Sequence, residues 1–238
     1  MRRYLLVDDN RAFAENLAEI IEDAGYETAI AEDGREALKL AAAERFDAVI
    51  TDMRMPEVGG ADLVRELRSV DPGIASIVVT AYTTDDDLSR ARRYGLLGIL
   101  PKPAPIDRLL ELLAAARRDA LVAVVDDEVA LANTLSETLQ SEGFATVVAS
   151  SLAEAERIGA SPFAALVDLR LPGTRDGAAL ERLRERYPGL PVIVMTGHGD
   201  LPRPAGTAGF FFKPFKTQAL LDTLSALHAR TTDHGPRR

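Results

Sequence analysis

The stretch VITDMRMPEVGG (residues 49–60) runs an apolar segment into Asp52 and then breaks it with a proline and two glycines. A near-copy, LVDLRLPGTRDG (166–177), does the same around Asp168. A short apolar run bounded by turn residues is the pattern of a buried strand. Both stretches therefore predict a strand that delivers a carboxylate to a fixed point, followed by a sharp turn of the chain.

The rest of the chain repeats this arrangement. Apolar runs YLLV (4–7), ETAI (27–30), DAVI (47–50), SIVVT (76–80) and LLGIL (96–100) alternate with amphipathic helical stretches. In one of these, FAENLAEIIEDAG, the apolar positions are Phe13, Leu17, Ile20 and Ile21, and Gly25 is placed to stop the helix. The second half has LVAVV (121–125), ATVV (145–148), AALV (164–167), VIVMT (192–196) and GFFF (209–212). Alternating strands and helices with near-continuous apolar strands predict a parallel sheet covered on both faces. The polar landmarks keep register between the halves: Asp8 and Asp126 are 118 apart, Asp52 and Asp168 116, Thr80 and Thr196 116, Lys102 and Lys213 111. Fixed landmarks with small loop drifts indicate a duplicated domain. The expected division is 1–118 and 119–230, with 231–238 as a C-terminal tail. The boundary near Arg117–Asp119 follows a Leu/Ala-rich helix (106–116) and has no Gly, Pro or Ser spacer, so a short, stiff junction is expected.

Composition narrows the function. The 238 residues are 47% hydrophobic and contain no cysteine, which excludes disulfides and thiolate metal sites. Of three histidines, His228 and His234 fall near the C-terminal end, leaving His198. The formal net charge is −9; residues 1–118 carry 16 basic and 22 acidic side chains and residues 119–238 carry 12 and 15, so both halves are acidic. That argues against a nucleic-acid or anionic-membrane surface. The opening apolar run is too short for a signal peptide, and no stretch approaches the roughly eighteen apolar residues of a membrane span. The expected location is the cytoplasm.

Taken singly, the polar landmarks have ordinary readings: a helix cap for Asp8-Asp9, a loop acid for Asp52, strand propensity for Thr80, a solvated loop lysine for Lys102. Together they sit at the C-terminal ends of the first, third, fourth and fifth strands, the edge where open α/β sheets bind ligands. In the strand order 2-1-3-4-5 the first and third strands are neighbours about 5 Å apart, so Asp9 and Asp52 can share one small cation. Thr80 lies one strand over. The fifth strand is about 10 Å away, a gap for a long side chain, and Lys102 is there. Clustered carboxylates need a compensating cation, and oxygen-only ligands suit Mg²⁺. A carboxylate nucleophile beside Mg²⁺, a lysine and a hydroxyl can accept a phosphoryl group.

These residues resemble the receiver domain of two-component response regulators, over about 1–118 and again over 120–230. The acidic pair, the Asp-x-x-Met/Leu-Pro run, the strand-end Thr and the Lys-Pro occur in family order in both halves. The resemblance implies two flavodoxin-like (βα)5 receiver domains in tandem, each a five-stranded parallel sheet of order 2-1-3-4-5. It implies phosphoacceptors at Asp52 and Asp168, and direct Mg²⁺ binding by Asp9 and Asp127 with Asp8 and Asp126 helping through water. The backbone carbonyls of Arg54 and Arg170 complete the ligands. Lys102 and Lys213 grip the phosphoryl group, Thr80 and Thr196 move toward it as the switch, and the bonds before Pro103 and Pro214 are cis. The implied partners are a sensor histidine kinase or phosphotransfer protein and a downstream protein.

Two departures stand out. The family usually carries Phe or Tyr three positions before the lysine; the second half has Phe210 there but the first has Ile99, so coupling in the first uses Tyr82 or Tyr94 or is altered. The interval from Thr196 to Lys213 is 17 residues against 22 from Thr80 to Lys102, and it contains GHGDLPRPAGTAG, so the fourth helix of the second domain is expected to be reduced or absent. That surface often mediates dimerisation in the family, which favours the first domain for any homodimer. The leading expectation is a tandem-receiver regulator without an output domain that signals by protein contact and is not a turnover enzyme. A scaffold with one unphosphorylated receiver is the alternative. An aspartyl-nucleophile phosphatase is disfavoured, because such enzymes resembling the haloacid-dehalogenase family need a general acid two residues after the nucleophile, where Arg54 and Arg170 stand.

Overall fold

The computed structural model describes residues 1–81, 86–197 and 202–232. Tyr82, His198 and the tail from residue 233 onward lie outside them. The chain divides into two compact units, Met1–Ala120 with Gln140–Thr146, and Leu121–Leu139 with Val147–Arg238.

The first unit runs β1(Arg3–Val7), α1(Arg11–Asp23), β2(Glu27–Ala31), α2(Gly34–Ala43), β3(Ala48–Thr51), α3(Gly60–Val70), β4(Ala75–Thr80), α4(Asp86–Arg92), β5(Gly98–Pro101) and α5(Ile106–Ala115). Its strands pair in parallel in the order β2-β1-β3-β4-β5. Alternate strand residues face opposite layers. Tyr4, Leu6, Ile50 and Ile77 pack with Leu17 and Ile21 of α1 and Leu109 and Leu113 of α5. Leu5, Val7 and Val49 pack with Ala37 of α2 and Leu63 and Leu67 of α3. Two covered faces explain why the strands read as continuous apolar runs rather than alternating ones. Helix starts follow local capping chemistry: the side chain of Asn10 accepts from Phe13 N ahead of α1, and that of Asp33 accepts from Glu36 N ahead of α2. Gly25 takes φ +88° just past α1.

The end of this unit is held down by its own contacts. Arg118 pairs with Asp71 at 2.5 Å and donates to Phe46 O, and Asp119 N donates to Gly73 O at 3.0 Å.

The second repeat of the chain runs β6(Leu121–Val125), α6(Val129–Ser141), β7(Ala145–Ala149), α7(Leu152–Ala155), β8(Ala164–Asp168), α8(Ala178–Arg186), β9(Val192–Thr196), β10(Gly209–Phe212) and α9(Thr217–Thr232). Its sheet order is β7-β6-β8-β9-β10, the same topology in the second copy. Every residue of β6, β8 and β9 is buried. Of the described residues between β9 and β10, 197 and 202–208, none is helical, which matches the shortened, Pro- and Gly-rich interval. The structure adds a second economy that the periodicity did not foretell: α7 is a single turn where α2 has ten residues. Among the described residues, no helix is long and apolar enough to cross a membrane.

Candidate functional site

In each unit the strand ends bring three acids and one lysine together. Asp8, Asp9 and Asp52 can each place a carboxylate oxygen within 4.8 Å of the others, and so can Asp126, Asp127 and Asp168. Asp8 and Asp126 are 4% and 0% exposed, whereas Asp9 and Asp127 face solvent. The inner acid of each doublet closes its own turn: Asp8 Oδ1 accepts from Asn10 N at 2.9 Å and Asp126 Oδ1 from Glu128 N at 3.0 Å.

Asp52 sits one residue beyond β3, and its N–H still donates to Val7 O of β1 at 3.0 Å. Its Oδ1 accepts from Met53 N at 2.6 Å and is near Arg54 N at 3.4 Å. Asp168 is the last residue of β8, and its Oδ1 accepts from Arg170 N at 3.0 Å. One oxygen of each of these two aspartates is thereby aimed by the backbone. The other oxygen, Oδ2, meets the lysine: Lys102 Nζ is 2.8 Å from Asp52 Oδ2, and Lys213 Nζ is 2.7 Å from Asp168 Oδ2. The ammonium reaches beyond this aspartate to the end of the next strand, β1 or β6. Lys102 Nζ is 2.6 Å from Asp8 Oδ2, and Lys213 Nζ is 2.7 Å from Asp126 Oδ2, an ion contact outside hydrogen-bond geometry. The lysine backbone is anchored too, with Lys102 N donating to Thr80 O at 3.0 Å and Lys213 N to Thr196 O at 2.8 Å. Thr80 and Thr196 end β4 and β9 and are fully buried. The Lys102–Pro103 and Lys213–Pro214 bonds are both cis.

The glycines that break the opening stretch have different tasks in the two copies. Gly60 N donates to Met53 O at 3.0 Å, and a Cβ on Gly60 would lie 2.2 Å from Asp52 O, so only glycine lets α3 start against the Asp52 carbonyl. Gly177 N makes the matching bond to Leu169 O at 2.7 Å, but its surroundings are open and its φ is +80°. There glycine is required by backbone conformation.

Electrostatics follow from this geometry. Burial works against the Lys102 ammonium, but hydrogen bonds and charge from Asp52 and Asp8 outweigh it and hold its pKa above that of an ordinary lysine. Lys213 is raised in the same way, against burial, by Asp126 and Asp168. Burial pushes Asp126 upward, with Lys213 opposing. Three carboxylates against one ammonium leave each pocket with a formal deficit of two positive charges. Hard oxygen donors within 4.8 Å of one another, and a buried Asp126 Oδ2 without a directional partner, fit a small divalent cation of the Mg²⁺ class.

The sequence reading named every acid, both lysines and both threonines at these strand ends. It did not foresee that Asp8 and Asp126 contact the lysine directly. It also missed two groups. The Phe13 ring lies 4.7 Å from Lys102 Nζ. Arg68 of α3 donates to Tyr94 O, Pro72 O, Ile74 O and Gly95 O at 2.8–3.0 Å, tying the connector before β5 and the loop before β4 to the third helix. The shared shift of 116 was a usable signal for this second group, since it aligns Arg68 with Arg184, which donates to Ala205 O of the corresponding connector at 2.8 Å.

A doubly wound parallel sheet with an acid trio and a cross-strand lysine at its carboxyl edge, present twice, defines a tandem receiver. The response regulator receiver domain model matches residues 4–114 and 122–225, and the chain belongs to that family, whose members act in two-component signalling. It is 60% identical over 229 residues to a response regulator receiver protein of Anaeromyxobacter sp. (strain Fw109-5), covering 96% of both chains. It is 38% identical over 116 residues to the response regulator MprA of Mycolicibacterium vanbaalenii, of which it spans 50%. Among solved structures, the chemotaxis protein CheY4 of Vibrio cholerae matches with a TM-score of 0.45 and 34% identity, over 48% of this chain and 97% of that one.

Proposed function

We propose that each receiver accepts a phosphoryl group on its acceptor aspartate, Asp52 or Asp168, from a histidine kinase or phosphotransfer protein. A carboxylate oxygen attacks phosphorus, the phosphorus–nitrogen bond of a phosphohistidine donor breaks, and the imidazole leaves and takes up a proton. The observation that carries this reading is the lysine ammonium 2.8 Å from Asp52 and 2.7 Å from Asp168, in contact with two acids of each trio. The side chains of Asp9, Asp52, Asp127 and Asp168, with the carbonyls of Arg54 and Arg170, would hold Mg²⁺, and Asp8 and Asp126 would orient its water. Bound there, the ion supplies charge neutralisation for the incoming phosphoryl oxygens. Lys102 and Lys213 neutralise a further oxygen, and the buried strand-end hydroxyls of Thr80 and Thr196 are the groups that respond to it. Occupancy then shifts each receiver between two conformations that a downstream protein distinguishes.

The proposed activity is phosphoryl acceptance with slow self-hydrolysis, in the cytoplasm, rather than turnover. The place of a general acid is held by Arg54 and Arg170, and Arg170 is engaged with Asp176 at 3.2 Å. Any homodimer forms through the first unit, which carries α4. Incubation with Mg²⁺ and acetyl phosphate, read by intact-mass spectrometry, tests the reading. Two adducts are expected in wild type, one in Asp52→Asn or Asp168→Asn, and none in the double variant. No adduct in wild type, or an adduct surviving the double substitution, overturns it. A scaffold with one silent receiver is the second reading, favoured only by the lack of helix among the described residues before β10, and a single acceptor in wild type would select it.

A further inference from the structure

The two lysines are held alike by their acids but differ in what stands over them. In the first unit the Phe13 ring lies 4.7 Å from the Lys102 ammonium. Phe13 is fixed from two sides: its N–H donates to the capping Asn10 side chain at 3.1 Å, and its ring packs against the core layer of Leu17, Ile50 and Leu109. The ammonium thus has carboxylates of Asp8 and Asp52 on one side and a rigid π-face on another, and its side chain is only 22% exposed. The shift of 118 that aligns Asp8 with Asp126 aligns Phe13 with Leu131, which has no π-system.

We propose that Phe13 is a positioning residue that steers Lys102 toward the acceptor in the first receiver alone. The inference rests on the reading of Asp52 as phosphoacceptor. A cation over an aromatic face is attracted by the ring quadrupole, and the attraction strengthens as water is excluded. The ring therefore narrows the positions open to a flexible four-carbon side chain, so the ammonium is already in place when phosphoryl oxygens arrive. The second receiver lacks this restraint and relies on its acids.

The test uses the full chain carrying Asp168→Asn, so that one acceptor remains. In the metal-free protein, the ε-methylene protons of Lys102 should show an upfield ring-current shift. That shift should vanish in Phe13→Leu and Phe13→Met, which keep an apolar side chain, and persist in Phe13→Tyr. With Mg²⁺ and acetyl phosphate, Phe13→Leu and Phe13→Met should be phosphorylated about three- to fivefold more slowly, with Phe13→Tyr close to the parent rate. Equal rates across all variants, or a Tyr variant as slow as Leu, would overturn the proposal, since a packing role does not distinguish a ring from an aliphatic chain in this way. If the parent protein takes no phosphate, the acceptor reading fails, and absence of the ring-current shift would separately remove the contact.

Discussion

The two receivers reach the same four-residue pocket from different surroundings. In the first, the β4–β5 connector includes α4, whose Leu88 and Ala91 pack with Met53, Val64 and Val78. Arg68 bonds four backbone carbonyls, two in this connector and two ahead of β4, and burial of that guanidinium lowers its pKa to about 10 although Asp71 and Asp119 pull the other way. In the second, no described residue of the connector is helical, Arg184 reaches Ala205 O, and β10 leaves Phe212 53% exposed. The acid trio and lysine are alike in both because they are positioned by strand ends and backbone hydrogen bonds.

The comparison can be broken or sharpened by paired substitutions, read by hydrogen exchange so that each unit is scored separately. The largest difference is expected at the glycines. Gly60→Ala must displace the Asp52 carbonyl from 2.2 Å and should cost about 3 kcal/mol, the upper range of overpacking. Gly177→Ala, with open space and φ +80°, should cost about 1–2 kcal/mol, the penalty of a left-handed residue. Equal losses would mean that the two turns are built alike. Next, Arg68→Ala leaves several carbonyls without their donor and should destabilise the first unit by about 2 kcal/mol, against less than about 1 kcal/mol for Arg184→Ala in the second.

A smaller gap is expected at the lysines. Lys213→Met strands a fully buried Asp126 beside Asp168, whereas Lys102→Met strands a more accessible pair. Chemical denaturation without divalent ions should show a loss of about 1–2 kcal/mol for Lys213→Met and less for Lys102→Met, below the full penalty of a buried broken pair because both lysines retain solvent contact.

The subtlest contrast is in pH dependence. Both lysine pKa values are raised on folding, so their stabilisation is complete below the unfolded value of 10.5 and is lost as pH rises through the higher folded value. Asp126 is raised as well, which has the opposite consequence for an acid. The folded second unit binds its proton earlier, so this residue adds stability as pH falls through the raised value toward 3.8. Asp126→Asn should remove that gain. An unchanged acid limb in that variant would show that Asp126 does not titrate in this window.

Much of this was legible before any coordinates. The strands are continuous apolar runs because both faces of each sheet are covered, so a carboxylate or lysine ending such a run stands out. Thr80, Asp52 and Lys102 were marked in that way, and the shortened interval before Lys213 agrees with a connector that has no helix among its described residues. The caps Asn10, Asp33 and Ser151 were not picked out, although Asn, Asp and Ser are the residue types that start helices; the cap of α1 is Asn10 rather than the Asp8-Asp9 pair. The Phe13 ring was not legible, because an apolar residue on the buried stripe of α1 reads as core whether or not a cation lies over it. Nor was the reduction of α7 to one turn, since the stretch around Leu152 still carries helix-forming residues.

By itself the sequence determined the repeated α/β pattern, the strand-end acids, the lysines and the acidic charge of both halves, since each of these is a property of residue type and spacing along the chain. Tertiary structure decided that each lysine bridges two acids, that Gly60 is required by contact and Gly177 by φ, and that one ammonium lies over a ring while its counterpart has leucine in that place. Those outcomes depend on distances between segments far apart in the chain, and such distances are set only when the sheet and its covering helices close around them.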